Sequence, residues 1–251
     1  MRYEFDWSII PKYAPLFWKG TLVTLELSVI SIVLATLLGT LLGLGRLARR
    51  APVRWFSSAC VEFFLNTPLV VQLFFWYFGL PMILPEPVKA WLWGHNFEFL
   101  AGVLGLTVYT STFIAETVRA GIQSIDRGQT EAAQAHGLSR GQTMRYVILP
   151  QAFQVILPPL GSQFLNLTKN SSLAMTIAVE ELTFQSQAVE AQTFRGFEAT
   201  TAATAIYLVI TLSLSFLIHR VERRANRHLV TAKVARRKVE ELLEVEGGVM
   251  A

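Results

Sequence analysis

The chain has 251 residues, of which 52% are hydrophobic and only 16% are charged, and its mean hydropathy is +0.42. A soluble domain needs more charged surface than this, so the composition excludes an ordinary soluble protein and indicates one that is solvated by lipid. The formal net charge is +4, but aromatic and basic residues do not alternate as they do on nucleic-acid-binding surfaces, so nucleic acid is not an expected partner.

Five long runs without charged residues predict five transmembrane helices. Each run is close to the length of about 20 apolar residues that a helix needs to cross the hydrocarbon core. The period-2 alternation of membrane strands is missing, so the predicted fold class is an all-α membrane protein. The runs cover residues 27–45, 63–85, 99–115, 146–168 and 199–219.

Basic residues predict how these helices are oriented. Sixteen of the 22 Lys and Arg residues fall in the loop 46–54, the loop 116–145 and the tail from Arg220 onward. Cytoplasmic loops of membrane proteins are enriched in Lys and Arg. We therefore expect the N-terminus outside and the C-terminus in the cytoplasm.

The chain divides into a predicted external segment (1–17), a transmembrane domain (18–222) and a cytoplasmic tail (223–251). The external segment has no basic stretch followed by a small-residue cleavage site, so it is not expected to be a cleaved signal peptide. The tail is basic and then acidic. An amphipathic extension and a frayed tail anchored to anionic membrane lipid are both open.

The first predicted span, from about Trp18, carries small residues and one carboxylate. Gly39 and Gly43 would let another helix approach closely, which is how helices associate in lipid. Glu26 is the clearest ionisable residue inside a span, about 12 Å beyond Trp18. It could face a partner helix or a cavity, and its role stays open.

The second span, predicted from about Val61 to Leu84, contains a helix-breaking step at Thr67 and Pro68. Proline leaves a backbone carbonyl without its helical partner, which is tolerated in a membrane where protein or a water-filled cavity satisfies it. Gln72 follows one turn later. Thr67, Pro68 and Gln72 are therefore candidate residues of a substrate pathway.

The third span, about residues 97–120, ends in Glu116 and Arg119, which are spaced i, i+3 on one helix face. An ion pair between them would reduce the cost of holding a carboxylate near the membrane boundary. We favour a structural pair that braces the following loop over a direct transport role.

The loop 126–145 is expected to form a helical projection. A first helix would begin at Gln129 or Thr130, and Gly137 would end it in the left-handed conformation. Ser139 and Gln142 have the spacing of a capping box, which would open a second helix leading into the fourth span.

Small side chains cover part of this predicted projection, at Ala132, Ala133 and Ala135. Such a surface could fit into a groove of a partner protein. From the residues alone, a solvated amphipathic loop is an equally good interpretation.

The fourth span, about residues 144–168, contains Pro158 and Pro159, and a third proline near its start, so a straight helix is not expected. Gln163 and Asn166 lie one turn apart on one face. That face is expected to meet water or another polar helix, which makes both residues candidates for the substrate pathway.

Polar residues also follow the fourth span, where Lys169, Ser171 and Ser172 complete the predicted pathway. Lys169 could attract a substrate carboxylate or extend to the interface. The run 170–179 is too short to cross a membrane and is expected to be re-entrant or interfacial. The segment 180–198 is polar and is expected to be external.

Several chemistries are missing from the sequence. It contains no Gly-x-x-x-x-Gly-Lys-[Ser/Thr] loop for a nucleotide, no Gly-x-Ser-x-Gly elbow and no His-Glu-x-x-His pair. The single cysteine, Cys60, and the four scattered histidines have no metal-ligand spacing, so no metal site is predicted. A membrane enzyme is disfavoured, and any use of ATP is expected to belong to a separate subunit.

The segment Glu131-Ala-Ala-Gln-Ala-His-Gly137, followed after nine residues by Val147-Ile-Leu-Pro150, resembles the EAA loop of bacterial ABC importer permeases. Val147 takes the place of the usual Ile. The resemblance covers about residues 18–222 and points to the polar amino acid uptake family. Leu65 departs from it, because many relatives have Arg there. Other supporting segments are Thr21–Ser28, Asn66–Gln72, Ala115–Gly121, Gly128–Ala133, Ile148–Ala152 and Leu167–Leu173.

The resemblance implies a type I ABC importer permease fold in the bacterial cytoplasmic (inner) membrane, crossing it several times. It implies a non-catalytic permease subunit that pairs with an identical or homologous permease. An ABC ATPase dimer would bind ATP and Mg, so that this chain binds no cofactor itself. A periplasmic or lipid-anchored binding protein would deliver the amino acid.

The same resemblance implies roles for individual residues. Glu131, Ala132, Ala133, Gly137 and Leu138 would contact the ATPase and couple its closure to transport. The substrate would be glutamate, aspartate, glutamine or a range of L-amino acids. The alternatives are an ATP-independent secondary transporter or channel, and a membrane adaptor that transports nothing.

Overall fold

The computed structural model describes residues 4–225, in which helices form nearly all of the regular structure and no strand occurs. The all-α fold class is therefore confirmed for this part of the chain. Two π-helical turns (Phe75–Gly79 and Met144–Ile148) and a 3-10 helix (Ser171–Ile177) connect α-helices. The α-helices are α1 (Ile9–Lys12), α2 (Ala14–Arg46), α3 (Ala51–Leu65), α4 (Leu69–Phe74), α5 (Leu80–Ile83), α6 (Glu86–Trp93), α7 (Phe97–Gln123), α8 (Arg127–Ala135), α9 (Arg140–Thr143), α10 (Leu149–Asn170), α11 (Leu182–Thr193) and α12 (Gly196–Ala225).

Three of the described helices, α2, α7 and α12, are long and apolar enough to cross a membrane. They contain the first, third and fifth predicted spans. The pair formed by Ala51–Leu65 and Leu69–Ile83 would be a fourth span if it is counted as one broken helix. The remaining predicted span lies in α10, which has 22 residues but two internal prolines.

The break predicted at Thr67 and Pro68 is present, and the second span consists of two helices, Ala51–Leu65 and Leu69–Ile83, bent by 105°. The break falls at Asn66–Pro68, where proline offers no N–H and disfavours helical geometry in the residue before it. The first helix also begins ten residues before the predicted start, at Ala51, because Pro52 is well suited to the first turn of a helix.

The fourth span is less interrupted than its prolines suggest, since α10 remains one helix across Pro158 and Pro159. The irregularity lies before it, in the π-helical turn Met144–Ile148. This wider turn leads directly into Leu149 and Pro150. Residues from Arg140 to Asn170 therefore form one continuous, though irregular, helical body.

Helices α2 and α7 pack against each other along much of their length, and glycines allow the contact. A Cβ at Gly39 would lie 2.6 Å from the Ser111 carbonyl oxygen, and one at Gly43 would lie 2.8 Å from the Ala115 carbonyl oxygen. Both distances are too short for any side chain. The predicted packing role of these glycines is confirmed.

The run 170–179 packs partly into the interior of the protein. Its 3-10 helix buries Ala174 and Ile177 in a core that also contains Leu27 and Leu73. Ala178 then reverses the chain in the left-handed conformation, with φ of 62°.

The segment 180–198, predicted to be polar and external, is partly buried in the protein. Helix α11 occupies most of it, and the side chains of Glu181 and Glu198 are completely buried. Buried carboxylates need hydrogen-bond donors from other elements, which the local sequence does not reveal. The predicted tail, residues 223–251, lies outside the described residues beyond Ala225.

Candidate functional site

The predicted projection over residues 126–145 is present, but it begins earlier than expected. Helix α8 begins at Arg127, ahead of Gln129 or Thr130, because Asp126 caps it. The backbone N–H of Gly128 donates to the Asp126 carboxylate over 2.6 Å. A capping side chain satisfies an N–H that the first turn of a helix leaves without a partner.

Gly137 ends α8 as predicted, with φ of +84°. The N–H of Leu138 donates to the carbonyl of Ala133 over 3.2 Å, and the N–H of Gly137 donates to that of Gln134 over 2.9 Å. These two bonds form a Schellman motif, which requires the left-handed residue that glycine supplies without strain. Helix α8 therefore has a fixed end.

The capping box predicted at the next helix is also confirmed. The N–H of Ser139 donates to the Gln142 side chain over 2.8 Å, and the N–H of Gln142 donates to the Ser139 hydroxyl over 3.4 Å. The turn between α8 and α9 is thus bounded by a cap on each side, which fixes where each helix ends or begins.

Only part of the predicted coupling surface faces outward. Glu131, Ala132 and Ala135 are exposed, whereas Ala133 is buried against the chain itself. The expectation that Ala133 forms part of a partner-facing surface does not hold for the isolated chain. Leu138 is half-buried at the turn. The surface of α8 that is accessible to a partner protein therefore consists of its exposed face, which includes Glu131, Ala132 and Ala135.

Glu116 and Arg119 form the predicted ion pair, with two guanidinium nitrogens 2.9 and 3.0 Å from one carboxylate oxygen. Arg46 pairs with the other oxygen of Glu116 and also with Glu62, at 3.1 Å. The network joins α2, α3 and α7. The sequence did not reveal Arg46 or Glu62, because they lie 70 and 54 positions away from Glu116; bracing of the projection stays a prediction.

The predicted pathway residues do not form one site. At the break in the second span, Gln72 is buried and its amide donates to the carbonyls of Phe64 (2.8 Å) and Thr67 (3.1 Å). It thereby satisfies backbone groups that Pro68 leaves without helical partners. Thr67 donates its hydroxyl to Phe63 over 2.6 Å.

Gln163 and Asn166 do meet, in a cavity of about 230 Å³ between α7 and α10. Tyr109, Thr110 and Asn170 also line it. Amides and hydroxyls both donate and accept hydrogen bonds, so this cavity suits a polar, hydrogen-bonding solute. Sequence reasoning missed Tyr109 because a tyrosine within an apolar run gives no sign of which helix it faces.

Lys169 and Ser172 lie in a different cavity of about 350 Å³, between the end of α10 and helices α11 and α12. Glu190, Thr183 and Tyr207 also line it, and we call it the outer cavity because the predicted orientation would put it on the external side. It thus contains a cation, an anion and several hydroxyls. Ser171, by contrast, is fully buried and donates its hydroxyl to the Thr168 carbonyl over 2.8 Å.

Glu26 is exposed and lines a third cavity, of about 640 Å³. Lys19, Glu98 and Glu180 line the same cavity, and Lys19 pairs with Glu180. Among the described residues, no cluster of His, Cys, Asp and Glu has the arrangement of a metal site.

A family model described as "Binding-protein-dependent transport system inner membrane component" matches residues 9–227. The chain is a member of this family. It is therefore a membrane component of a transport system. Membership agrees with the resemblance that the EAA-like loop indicates.

The chain is similar over most of its length to several characterised or named permease proteins. It is 40% identical over 212 residues to the probable glutamine ABC transporter permease protein GlnM of Bacillus subtilis, covering 84% of this chain and 94% of that protein. It is 35% identical to the glutamate/aspartate import permease protein GltJ of Escherichia coli K12 (89% and 96%). It is 39% identical to the glutamine transport system permease protein GlnP of the same strain (88% and 98%).

Solved structures confirm the fold. A crystal structure of an amino acid ABC transporter with histidines matches with a TM-score of 0.78 and 37% identity, covering 88% of this chain and all of that one. The MetNI methionine ABC transporter matches with a TM-score of 0.69 at 20% identity, a likeness of fold alone. The transport component therefore has the type I ABC permease fold.

Proposed function

We propose that this chain is the permease subunit of an ATP-driven importer for polar amino acids, with glutamine, glutamate or aspartate as the first candidates. The observation that carries the proposal is the likeness, over more than four fifths of the chain, to amino acid permeases of ABC transporters. The amide- and hydroxyl-lined cavity at Gln163 and Asn166 supports it, because such groups complement an amide or carboxylate side chain.

In this proposal the chain crosses the membrane five times. Helices α2, α7 and α12 are the first, third and fifth spans, the broken pair α3 with α4 and α5 is the second, and α10 is the fourth. The distribution of Lys and Arg supports an external N-terminus and a cytoplasmic C-terminus. The projection 126–145 then lies in the cytoplasm.

The exposed face of α8 around Glu131 and Ala132 is the proposed contact with the ATPase. The caps at Gly137 and Ser139 support this role, because a projection whose helix ends are fixed can transmit a push. The continuous helical body from Arg140 to Asn170 carries that motion to Gln163 and Asn166. Closure of the ATPase would in this way move one wall of the amide-lined cavity.

The outer cavity, which contains Lys169, is proposed to bind the substrate at the external end of the pathway. Lys169 complements the carboxylate of an amino acid, and Glu190 complements its ammonium group. The substrate would pass between this cavity and the amide-lined one.

The proposed partners are two ATPase subunits, a second permease, and a periplasmic or lipid-anchored binding protein. ATP and Mg would bind to the ATPase, and the permease itself would be non-catalytic. The absence of a P-loop from the sequence supports this division of labour.

Reconstitution of the complete transporter in liposomes tests the proposal. We expect uptake of radiolabelled glutamine, glutamate or aspartate only under two conditions. ATP must be present on the side of the membrane that carries the ATPase, and the binding protein must be present on the opposite side. Flux driven by an ion gradient without ATP would instead identify a secondary transporter. The absence of uptake for every polar amino acid would contradict the proposed substrate class.

A further inference from the structure

Glu181 is a completely buried carboxylate at the junction of α2, α11 and α12. One carboxylate oxygen accepts the backbone N–H of Phe184 over 2.8 Å. The other accepts the hydroxyl of Tyr207 over 2.5 Å, and the Thr24 hydroxyl lies 3.5 Å from it. No Lys or Arg forms an ion pair with Glu181 in the described part of the chain.

This environment is demanding for a carboxylate. Burial raises the pKa of the Glu181 carboxyl, whereas hydrogen bonds from the Thr183 backbone N–H, the Tyr207 hydroxyl and the Phe184 backbone N–H oppose that rise. A buried charge without a cation destabilises a fold unless donors satisfy it, and an apolar or amide side chain would avoid the penalty. Glu181 caps α11, but an uncharged capping residue could do that as well.

The hydrogen bonds connect Glu181 to the outer cavity. Tyr207 and Thr183 both line that cavity, and their hydroxyl oxygens are 3.2 Å apart. Because Tyr207 donates its only hydroxyl proton to Glu181, Thr183 must be the donor in the bond between the two hydroxyls. The Tyr207 oxygen then has no proton of its own to donate to a ligand and keeps one lone pair that can accept.

A hydroxyl held in this way favours a ligand that donates hydrogen bonds. Glu190 lines the same cavity and adds negative charge, while Lys169 lies there as a cation. The ammonium group of an amino acid carries three donors and a positive charge. The cavity is therefore polarised to distinguish the two ends of a zwitterion.

We propose that Glu181 is a positioning residue, which fixes the Tyr207 hydroxyl as a hydrogen-bond acceptor on the wall of the outer cavity and so makes this cavity select the ammonium group of an amino acid. The inference rests on the proposed function, since it assigns specificity to a station of the same pathway. Glu181 itself does not touch the substrate.

Substitution of Glu181 by Gln tests whether Glu181 orients the Tyr207 hydroxyl or only stabilises the fold. The new amide oxygen can still accept the N–H of Phe184, so α11 keeps its cap. The amide NH₂ would donate to Tyr207 and reverse that bond, which frees the Tyr207 proton to point into the cavity. A purely architectural residue would lower thermal stability when changed, whereas removal of a buried charge is expected to leave it unchanged or raise it.

The experiment measures glutamine binding to the purified permease–ATPase complex without the binding protein, by equilibrium dialysis. Competition with glutaramic acid, which lacks only the α-ammonium group, gives the selectivity for that group. The variants are Glu181→Gln, Tyr207→Phe and the double change. Glu180→Gln is the matched control, because Glu180 is exposed and pairs with Lys19 instead.

We expect Glu181→Gln and Tyr207→Phe each to reduce the preference for glutamine over glutaramic acid about tenfold. The double variant should lose no more than Tyr207→Phe alone, and the control should match the wild type. The melting temperature of Glu181→Gln should not fall.

Other outcomes overturn the inference. Unchanged selectivity in Glu181→Gln, additive losses in the double variant, or a selectivity loss that accompanies a lower melting temperature would each do so. Glutamine uptake without measurable binding to the isolated complex would overturn it too, while leaving the proposed function intact. A wild type that neither binds nor transports any polar amino acid would contradict the proposed function itself.

Discussion

The projection 126–145 and the outer segment 180–198 are both polar stretches between helices, yet their sequences are informative to very different degrees. In the projection, every capping bond joins residues at most five positions apart, such as Leu138 to Ala133. In the outer segment, one oxygen of Glu181 accepts from Phe184 nearby, but the other depends on Thr24 and Tyr207, which are 157 and 26 positions away. Short-range hydrogen bonds leave a pattern in the sequence, whereas long-range ones do not.

The largest expected effect comes from Gly137→Val in the projection. The left-handed backbone at φ of +84° costs an L residue about 1 to 2 kcal/mol, and more for a β-branched one, so the end of α8 should be displaced. We expect ATP-dependent uptake to fall at least about tenfold while the complex still assembles in the membrane.

Gly141→Ala is the matched control for that experiment. Gly141 lies in the same projection, but an added Cβ would meet nothing within 4 Å, and alanine favours a helix. Uptake by this variant should equal that of the wild type. Normal uptake by Gly137→Val would show that the fixed end of α8 is not needed for coupling.

The long-range network at Glu116 should give the next largest effect. Glu116→Ala would leave Arg46 and Arg119 without their shared carboxylate, and Arg46 is largely buried. We expect a loss of about 1 to 3 kcal/mol in unfolding free energy, measured by thermal unfolding of the purified protein.

Glu86→Ala provides the comparison, because its pair with Lys89 is exposed and spans a single helical turn. That change should alter stability by less than about 1 kcal/mol. Equal effects of the two substitutions would contradict the view that the tertiary network is what stabilises this end of α7.

Ser139→Ala should have a smaller effect than Glu116→Ala. It removes one half of the capping box and is expected to destabilise α9 by about 1 kcal/mol, with a modest reduction in uptake. Hydrogen exchange of the amides of residues 140–143 would report the change locally. Unaltered exchange there would show that the cap does not hold the projection.

The smallest expected effect concerns pH and the outer segment. Because burial raises the pKa of Glu181, its contribution to stability is fully present below the unfolded pKa and is lost as pH rises through the folded pKa. As pH rises from the unfolded-state pKa of Glu181 to its folded-state pKa, the melting temperature of the wild type should therefore fall more than that of Glu181→Gln. Parallel curves for the two proteins would rule out a raised pKa.

Much of the candidate site could be predicted where the signal is local. The EAA-like spacing, the left-handed Gly137 and the capping box at Ser139 were all correct, as was the Glu116–Arg119 pair. The predicted start of α8 is two or three residues too late, because Asp126 caps the helix and makes Arg127 its first residue. Gln163 and Asn166 were correctly expected to share a polar face.

The features of the site that could not be predicted depend on which helices pack against each other. Nothing in the sequence indicates that Gln72 forms hydrogen bonds across the break at Pro68, or that Lys169 lines a cavity with Glu190 and not with Gln163. Such pairings are set by the crossing of helices far apart in the chain, and periodicity within one helix does not specify its neighbour.

By itself, the sequence determined that this protein is helical, is embedded in a membrane and has a capped helical projection. Hydropathy, basic-residue bias and capping are properties of short segments, which is why they can be read from the sequence. Only the tertiary structure decided that the second span is bent by 105° and that Glu181 is buried behind the outer cavity. The physical reason is that burial and bond partners are properties of the assembled helices and not of any one of them.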